Sequence, residues 1–269
     1  MTKKKRQIRF DRNQTSSKQL EKIWEKIWGA RDLEKAVSDL KKNQGKGSDL
    51  YLQVHFPFVE KEIKKISSKA RVLEAGCGFG QWVFFIGEKG CEVVGIDIAK
   101  KAIEVAQNYA VRKKIKNCRF YHADIRAIPF KDGYFDRIFS FGVIEHYKDP
   151  SDLLSEFYRV LETKGRLFIS VPNVCSLHTI TRPITQALGL WRFGYERSYS
   201  LESLKKLLTS SGFKICEDGV MPGEEFFGNW PNYIPLIGQS LYNFLRKISL
   251  FLESNQDIFS FWIYIVAEK

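Results

Sequence analysis

The sequence predicts an α/β fold built on a doubly wound parallel sheet, and three observations carry that prediction. Short apolar runs of strand type alternate with longer stretches whose apolar residues recur at helical spacing. The first run, Val72-Leu73, passes at once into a loop with glycines at alternate positions, Gly76, Gly78 and Gly80. A later run closes on an acid, Asp97, about twenty residues beyond the glycines, where the second strand of a βαβ unit would end.

The chain has 269 residues, a length that suits one domain with additions. Lys3, Lys4, Lys5, Arg6 and Arg9 are followed by polar residues, so the N-terminus does not read as a secretory signal. Cys77, Cys91, Cys118, Cys175 and Cys216 form no C-x-x-C pair, which argues against a zinc site and against a disulfide framework. The cell interior is the expected compartment, and no metal is expected. Leu20, Ile23, Trp24, Ile27 and Trp28, then Leu33, Ala36, Val37 and Leu40, mark two amphipathic helices. Their plain role is to pack on the domain and cover a ligand; the competing role is peripheral membrane contact through the tryptophans. Residues 1–50 therefore read as a helical N-terminal extension or cap, and 51–269 as the domain.

Gln44-Gly-Lys-Gly-Ser is a linker by composition, and Leu50 to Ile66 reads as a helix leading into the first strand. After the glycines, Trp82 to Ile86 resume an apolar pattern that stops at Lys89-Gly90, as a helix following a tight turn would. Cys91 to Ile98 is the second strand, Ala99 to Arg112 a helix, and Cys118 to Tyr121 a short strand. Asp136 to Phe141 is a strand, Pro150 to Leu161 a helix, and Gly165 to Val171 a strand ending at Pro172. Ser198 to Gly212 reads as a helix, Phe213 to Glu217 as a strand, and Phe259 to Ala267 as the final strand.

A strand, glycine-rich turn and helix form a site for a nucleotide-like molecule. Glycine lets a ligand lie against the main chain, and the N–H groups of the next helix's first turn face it. The third glycine falls two residues after the second, where the dinucleotide fingerprint wants three, and Glu74 precedes the first; both tilt the reading away from NAD. Asp97 is placed to accept both hydroxyls of a ribose.

The ordered set Glu74-Ala-Gly-Cys-Gly-Phe-Gly, Val93-Val-Gly-Ile-Asp97-Ile, His122-Ala-Asp124-Ile-Arg-Ala-Ile-Pro-Phe and Phe135 through Glu145-His146 resembles the class I S-adenosylmethionine-dependent methyltransferases. Its nearest look is to the branch of quinone-biosynthesis and other small-molecule methylases. The resemblance implies a Rossmann-like sheet of seven strands, the last inserted antiparallel between the fifth and sixth, with S-adenosylmethionine as cofactor. By the same resemblance, Gly76, Cys77 and Gly78 lie against the methionine end and Glu74 holds its ammonium. Asp97 takes the ribose, Ile98 flanks the adenine, and Asp124 with the Ile125 N–H reads its edge. Phe141 and Gly142 lie near the sulfonium. Asp124 has a competing role as a turn cap, and Tyr51 and His55 are candidates to look into the pocket. Methyl transfer needs alignment above all. His146 suits a base where the acceptor must lose a proton, and bracing its loop is the other reading.

The acceptor would be chosen by two lid segments, 173–199 and 221–257. The first holds Arg182, Trp191, Arg192, Tyr195 and Arg197, which suggests an acidic or aromatic acceptor. The second holds Phe226, Phe227, Trp230 and Tyr233, then an apolar run from Leu236 to Leu252 broken by Arg246 and Lys247, too interrupted to span a bilayer. That run could lie on a membrane or line a pocket for a lipid-like acceptor, against ordinary lid packing or a dimer contact. The net charge of +12 makes a nucleic-acid methyltransferase the nearest rival to a small-molecule one. Against it, the residues after the fourth strand are Phe141-Gly-Val-Ile-Glu-His, not the Asn/Asp-Pro-Pro-Tyr/Phe of amino-group methylases acting on DNA. A cofactor-binding protein without catalysis is the remaining alternative.

Overall fold

The computed structural model describes residues 16–28, 32–43, 50–176, 178–221 and 260–269. It opens with helices α1 (Ser17–Trp28), α2 (Leu33–Asn43) and α3 (Leu50–Ile63). The alternating part follows as β1 (Arg71–Ala75), α4 (Gln81–Gly87), β2 (Glu92–Asp97), α5 (Lys100–Arg112) and β3 (Cys118–His122). Next come β4 (Phe135–Phe141), a 3-10 turn at Ile144–His146, α6 (Ser151–Val160) and β5 (Leu161–Pro172). The chain continues as α7 (His178–Ala187), α8 (Leu201–Ser210), β6 (Lys214–Met221) and β7 (Trp262–Glu268).

The strands form one sheet in the order β3-β2-β1-β4-β5-β7-β6. Pairs among β1 to β5 are parallel, and β7 runs antiparallel to both β5 and β6. This is the expected seven-stranded, doubly wound arrangement. Alternation along each strand explains why the runs are apolar throughout: Val72, Phe139 and Phe168 join the core beneath α3, α4 and α5, while Leu73, Ile138 and Ile169 join the core beneath α6 and α8. A parallel sheet covered on both faces demands such runs. The strand order reverses at β1, where β2 lies on one side and β4 on the other. Loops leaving the carboxyl ends of β1 and β4 therefore diverge and open a crevice.

The first two helices lie on the domain, α1 against α5 and α2 against α4. Leu33, Val37 and Leu40 are buried there, and Glu34 pairs with Lys113 at 2.9 Å. Some boundaries differ from the expected ones. The helix from Leu50 ends at Ile63, and β5 begins directly after α6 at Leu161. Ser200 caps α8 through a reciprocal pair of bonds with Ser203, which fixes its start at Leu201. The segment 173–199, read as a lid segment with no element of its own, contains α7. The apolar run 236–252 and nearly all of the proposed lid 221–257 lie outside the described residues. No helix among the described residues is long and apolar enough to cross a membrane.

Phe157 on α6 is fully buried in the second core. Phe157→Ala is expected to destabilise the fold by about 3–5 kcal/mol, read as a lowered urea midpoint.

Candidate functional site

The loop after β1 is laid across the end of β2 by backbone bonds. The N–H groups of Gly76 and Cys77 both donate to the Ile96 carbonyl, at 2.8 and 3.0 Å. Asp97 completes the join: the Gly78 N–H donates to its Oδ2 at 2.7 Å and the Ala99 N–H to its Oδ1 at 2.8 Å. Each carboxylate oxygen accepts more than one bond, so both keep acceptor capacity. Burial raises the Asp97 pKa, and the donors at Ala99 and Gly78 oppose that shift. Gly76 has φ +81°, and a Cβ there would stand 2.4 Å from Val143 Cγ2. Glycine is therefore required where the loop meets the chain following β4.

A cavity opens in the crevice at these strand ends. Of the residues the sequence proposed for the cofactor, Glu74, Gly76, Cys77, Asp97, Ile98, Ile125, Phe141 and Gly142 line it, as do His146 and Tyr51. Gly78 and Asp124 are not among its lining residues. The Gly78 N–H is committed to Asp97. Asp124 is committed to Arg126, whose Nε donates to Oδ1 at 3.0 Å and Nη2 to Oδ2 at 2.6 Å, while the Ser17 hydroxyl of α1 donates to Oδ2 at 2.8 Å. It also caps its own turn by accepting from the Arg126 N–H at 2.9 Å. Burial alone would raise the Asp124 pKa, but these bonds and the Arg126 charge hold it below the usual carboxylate range. The turn-capping role is thus present, and Ile125 forms the cavity wall at this point. His55 lies behind the wall, bonded to the Tyr51 carbonyl and the Ser170 hydroxyl.

Glu74 is 3% exposed, and its Oε2 has no hydrogen-bond partner. Burial pushes its pKa well above the ordinary value, an N–H donated by Val83 opposes this, and nearby Asp97 adds to the rise. An orphaned buried oxygen that lines a cavity is a place for a ligand's donor.

At the far end stand two histidines and two further carboxylates. His146 Nδ1 lies 2.9 Å from the Tyr195 carbonyl, an atom that only accepts, so Nδ1 carries the proton and Nε2 a lone pair. Burial, with Trp24 edge-on to the ring at 4.8 Å, lowers the His146 pKa and keeps the ring neutral. Glu145 is 1% exposed, and its Oε2 has no partner. Burial, then the charge of Glu196, pushes its pKa well above the ordinary value of 4.5. Glu196 behaves oppositely. Burial would raise its pKa, but the hydrogen bond from His178 Nε2 at 2.6 Å, with the Arg182 charge adding to it, brings it down.

Several lining residues escaped the sequence reading: Trp24 and Trp28 of α1 in a direct wall role, Gln81 and Trp82 of α4, and Trp262 of β7. His178, Thr181 and Thr185 on α7 and Glu196 beyond it were also missed. The α7 residues share one helical stripe, but a polar one, which an apolar-periodicity search passes over. The tryptophans of α1, Trp24 and Trp28, line the cavity. The cations expected to meet an acidic acceptor do not line the cavity. Arg182 donates to Glu196 at 3.2 Å, and the Arg197 guanidinium lies 4.6 Å from the centre of the Tyr199 ring. Of the proposed acceptor residues in that segment, Trp191 lines the cavity and Arg192 and Tyr195 do not.

Residues 73–169 match a family model described as a methyltransferase domain. The chain is 30% identical over 104 residues to a ubiquinone biosynthesis O-methyltransferase of Albidiferax ferrireducens, covering 38% of this chain and 41% of that one. It is 30% identical over 151 residues to phosphoethanolamine N-methyltransferase 3 of Arabidopsis thaliana, covering 55% of this chain and 30% of that one. The solved structure of the [4+2]-cyclase SpnF superposes with a TM-score of 0.64 at 16% identity, covering 95% of this chain and 97% of that one. That likeness is one of fold. The chain spans about a third to a half of the length of the first curated relatives it matches, from 30% to 52%.

The raised pKa of Glu145 has a consequence for stability. A carboxyl that keeps its proton in the folded state costs nothing below the unfolded value near 4.5, and it destabilises progressively as the pH rises toward the folded pKa. Glutamine at this position does not titrate. The urea midpoint of Glu145→Gln is therefore expected to gain on that of the unsubstituted protein as the pH rises above about 4.5. Parallel midpoint profiles would show that Glu145 ionises normally.

Proposed function

We propose that this chain, which belongs to the methyltransferase domain family over residues 73–169, binds S-adenosylmethionine in the crevice and passes its methyl group to a small-molecule acceptor in the adjoining chamber. The observation that carries this reading is the pair of buried acids at the ends of adjacent strands. Asp97 has acceptor capacity to spare beside the glycine loop, and Glu74 presents an unpartnered Oε2 to the cavity. A ligand with a ribose diol and an ammonium matches both.

In this arrangement Asp97 holds the ribose hydroxyls, each by a charge-assisted bond of about 1.5–3 kcal/mol. Glu74 takes the ammonium of the methionine end. Ile98 and Ile125 give the adenine apolar faces, and Phe141 turns an aromatic ring toward the cationic centre. When bound, the cofactor supplies a methyl group already activated by positive sulfur. The protein then has to align the acceptor in line with it and keep water out. The aromatic chamber beyond Gly142 does both.

His146 Nε2, unprotonated and facing that chamber, accepts the proton an acceptor must lose. A cavity with no lysine or arginine among the described residues of its lining supports a small molecule over a nucleic acid, whose phosphates would call for cations. The [4+2]-cyclase shares the fold, so the fold alone does not specify methyl transfer, and turnover is the deciding readout. Of the two curated relatives described, one is named for O- and one for N-methylation. They leave the accepting atom open.

Asp97→Ala is expected to weaken S-adenosylhomocysteine binding by about tenfold or more in calorimetry. An unchanged affinity would remove Asp97 from the site. Transfer of labelled methyl should fall by about 10²–10⁴ in His146→Gln. With its pKa lowered by burial, His146 gives kcat/KM an acid limb below pH 6.5 that the variant lacks. A limb that persists in the variant would assign it to another group.

A further inference from the structure

Resting on the methyl-transfer reading above, we propose that the acceptor is an amine, seated as its ammonium ion between Glu145 and Glu196 against the aromatic walls of the chamber. The charge of the lining is the first ground. The chain carries a net +12, yet among the described residues no lysine or arginine lines the cavity, and the acids that do are Glu74, Asp97, Glu145 and Glu196. Glu74 and Asp97 stand at the glycine loop, where the cofactor lies. The other two belong to the acceptor end.

The second ground is that these two carboxyls are open to a donor. Glu145 is 1% exposed, it lines the cavity, and its Oε2 has no hydrogen-bond partner. Its Oε1 is 3.2 Å from where a Cβ on Gly142 would stand, which puts the carboxyl over the end of β4, beside the reacting centre. A buried carboxyl oxygen without a partner costs about 1–3 kcal/mol, which an N–H donor from a ligand would offset. Glu196 accepts from His178 Nε2 and Arg182 Nη1, and both bonds end on Oε1. Oε2 receives neither. Burial opposes the charge on Glu196, but its cationic and imidazole neighbours keep it ionised.

The walls complete the seat. Trp24, Trp191, Phe193, Phe261 and Trp262 line the chamber, and aromatic faces favour a cation that has lost its water. A carboxylate acceptor would meet like charge here and no lysine or arginine among the described lining residues. An alcohol could donate to Glu145 but would gain nothing from the charge of Glu196.

The chemistry closes without a further reagent. The ammonium gives one proton to His146 Nε2, which passes it to solvent. The freed nitrogen lone pair forms the new N–C bond while the electron pair of the S–C bond goes to sulfur. The products are a methylated ammonium and a neutral thioether, so the positive charge moves from sulfur to nitrogen.

The test uses the full chain saturated with S-adenosylhomocysteine and compares 2-phenylethylamine, 2-phenylethanol and phenylacetate as ligands by calorimetry. The amine is expected to bind about tenfold or more tighter than the alcohol, with phenylacetate weakest. Glu196→Gln and Glu145→Gln should each bring the amine-to-alcohol ratio to within about threefold of unity. The ligand order in the unsubstituted protein needs no variant and stands whether or not a variant folds. Phenylacetate binding as well as the amine, three equal affinities, no binding by any of the three, or a ratio that neither variant changes would each overturn the amine assignment. Failure of S-adenosylhomocysteine itself to bind would instead bring down the methyltransferase reading and the amine assignment with it.

Discussion

The site depends on one carboxylate. Asp97 ends β2, and its two oxygens take the Gly78 and Ala99 N–H groups, so the loop after β1 and the approach to α5 are both tied to it. The same oxygens are the ones a ribose would reach. Structural and ligand roles therefore fall on one group, and the loop holds its shape before any ligand arrives. Glu74 stands nearby with a single backbone donor. Two carboxyls in one buried space do not ionise independently. The one with the richer set of donors keeps its charge more readily, and the other leans toward the neutral acid until a cation comes.

Helix α1 makes that space dry. A Cβ on Gly78 would lie 2.6 Å from the Trp28 ring, so the middle glycine of the loop makes room for the covering helix. Trp24 packs on His146 in the same way, and Ser17 fastens the start of the helix to Asp124. The consequences are electrostatic: exclusion of water lowers the His146 pKa and raises that of Glu145. Asp124, given to the adenine by resemblance, here joins the cover to the sheet.

The strands and the glycine loop were legible because each rests on a local rule, whereas the place of the last strand came from the family resemblance. Val72-Leu73 must be apolar to lie between two helical layers, and Gly76 must be glycine at φ +81°. The acceptor end was not legible, for identifiable reasons. Helix α7 turns His178, Thr181 and Thr185 inward and leaves Ile180 and Ile184 exposed, the reverse of the pattern that betrays a helix packed on a core. Glu196 lies in a loop, where no period marks it. Trp262 comes from the far end of the chain and reaches the chamber only because β7 is inserted beside β5. Arg182 and Arg197 drew attention as cations, yet each is occupied by a neighbour that sequence spacing does not reveal.

The same contrast explains why net charge misdirects at this protein. An excess of +12 describes groups that remain hydrated, whose fields salt screens within about 10 Å. Recognition inside the cavity is decided by the few groups that lose water, and those are carboxyls and imidazoles. Arg126 and Arg182 directly follow lining residues, Ile125 and Thr181. Both turn onto acids, Asp124 and Glu196, and neither lines the cavity. Burial raises the Glu196 pKa, and the hydrogen bond from His178, with the Arg182 charge adding to it, brings it below the usual carboxylate range. A basic surface and an acidic interior are thus not in conflict, because one arginine of the basic excess contributes to the acidity of the site.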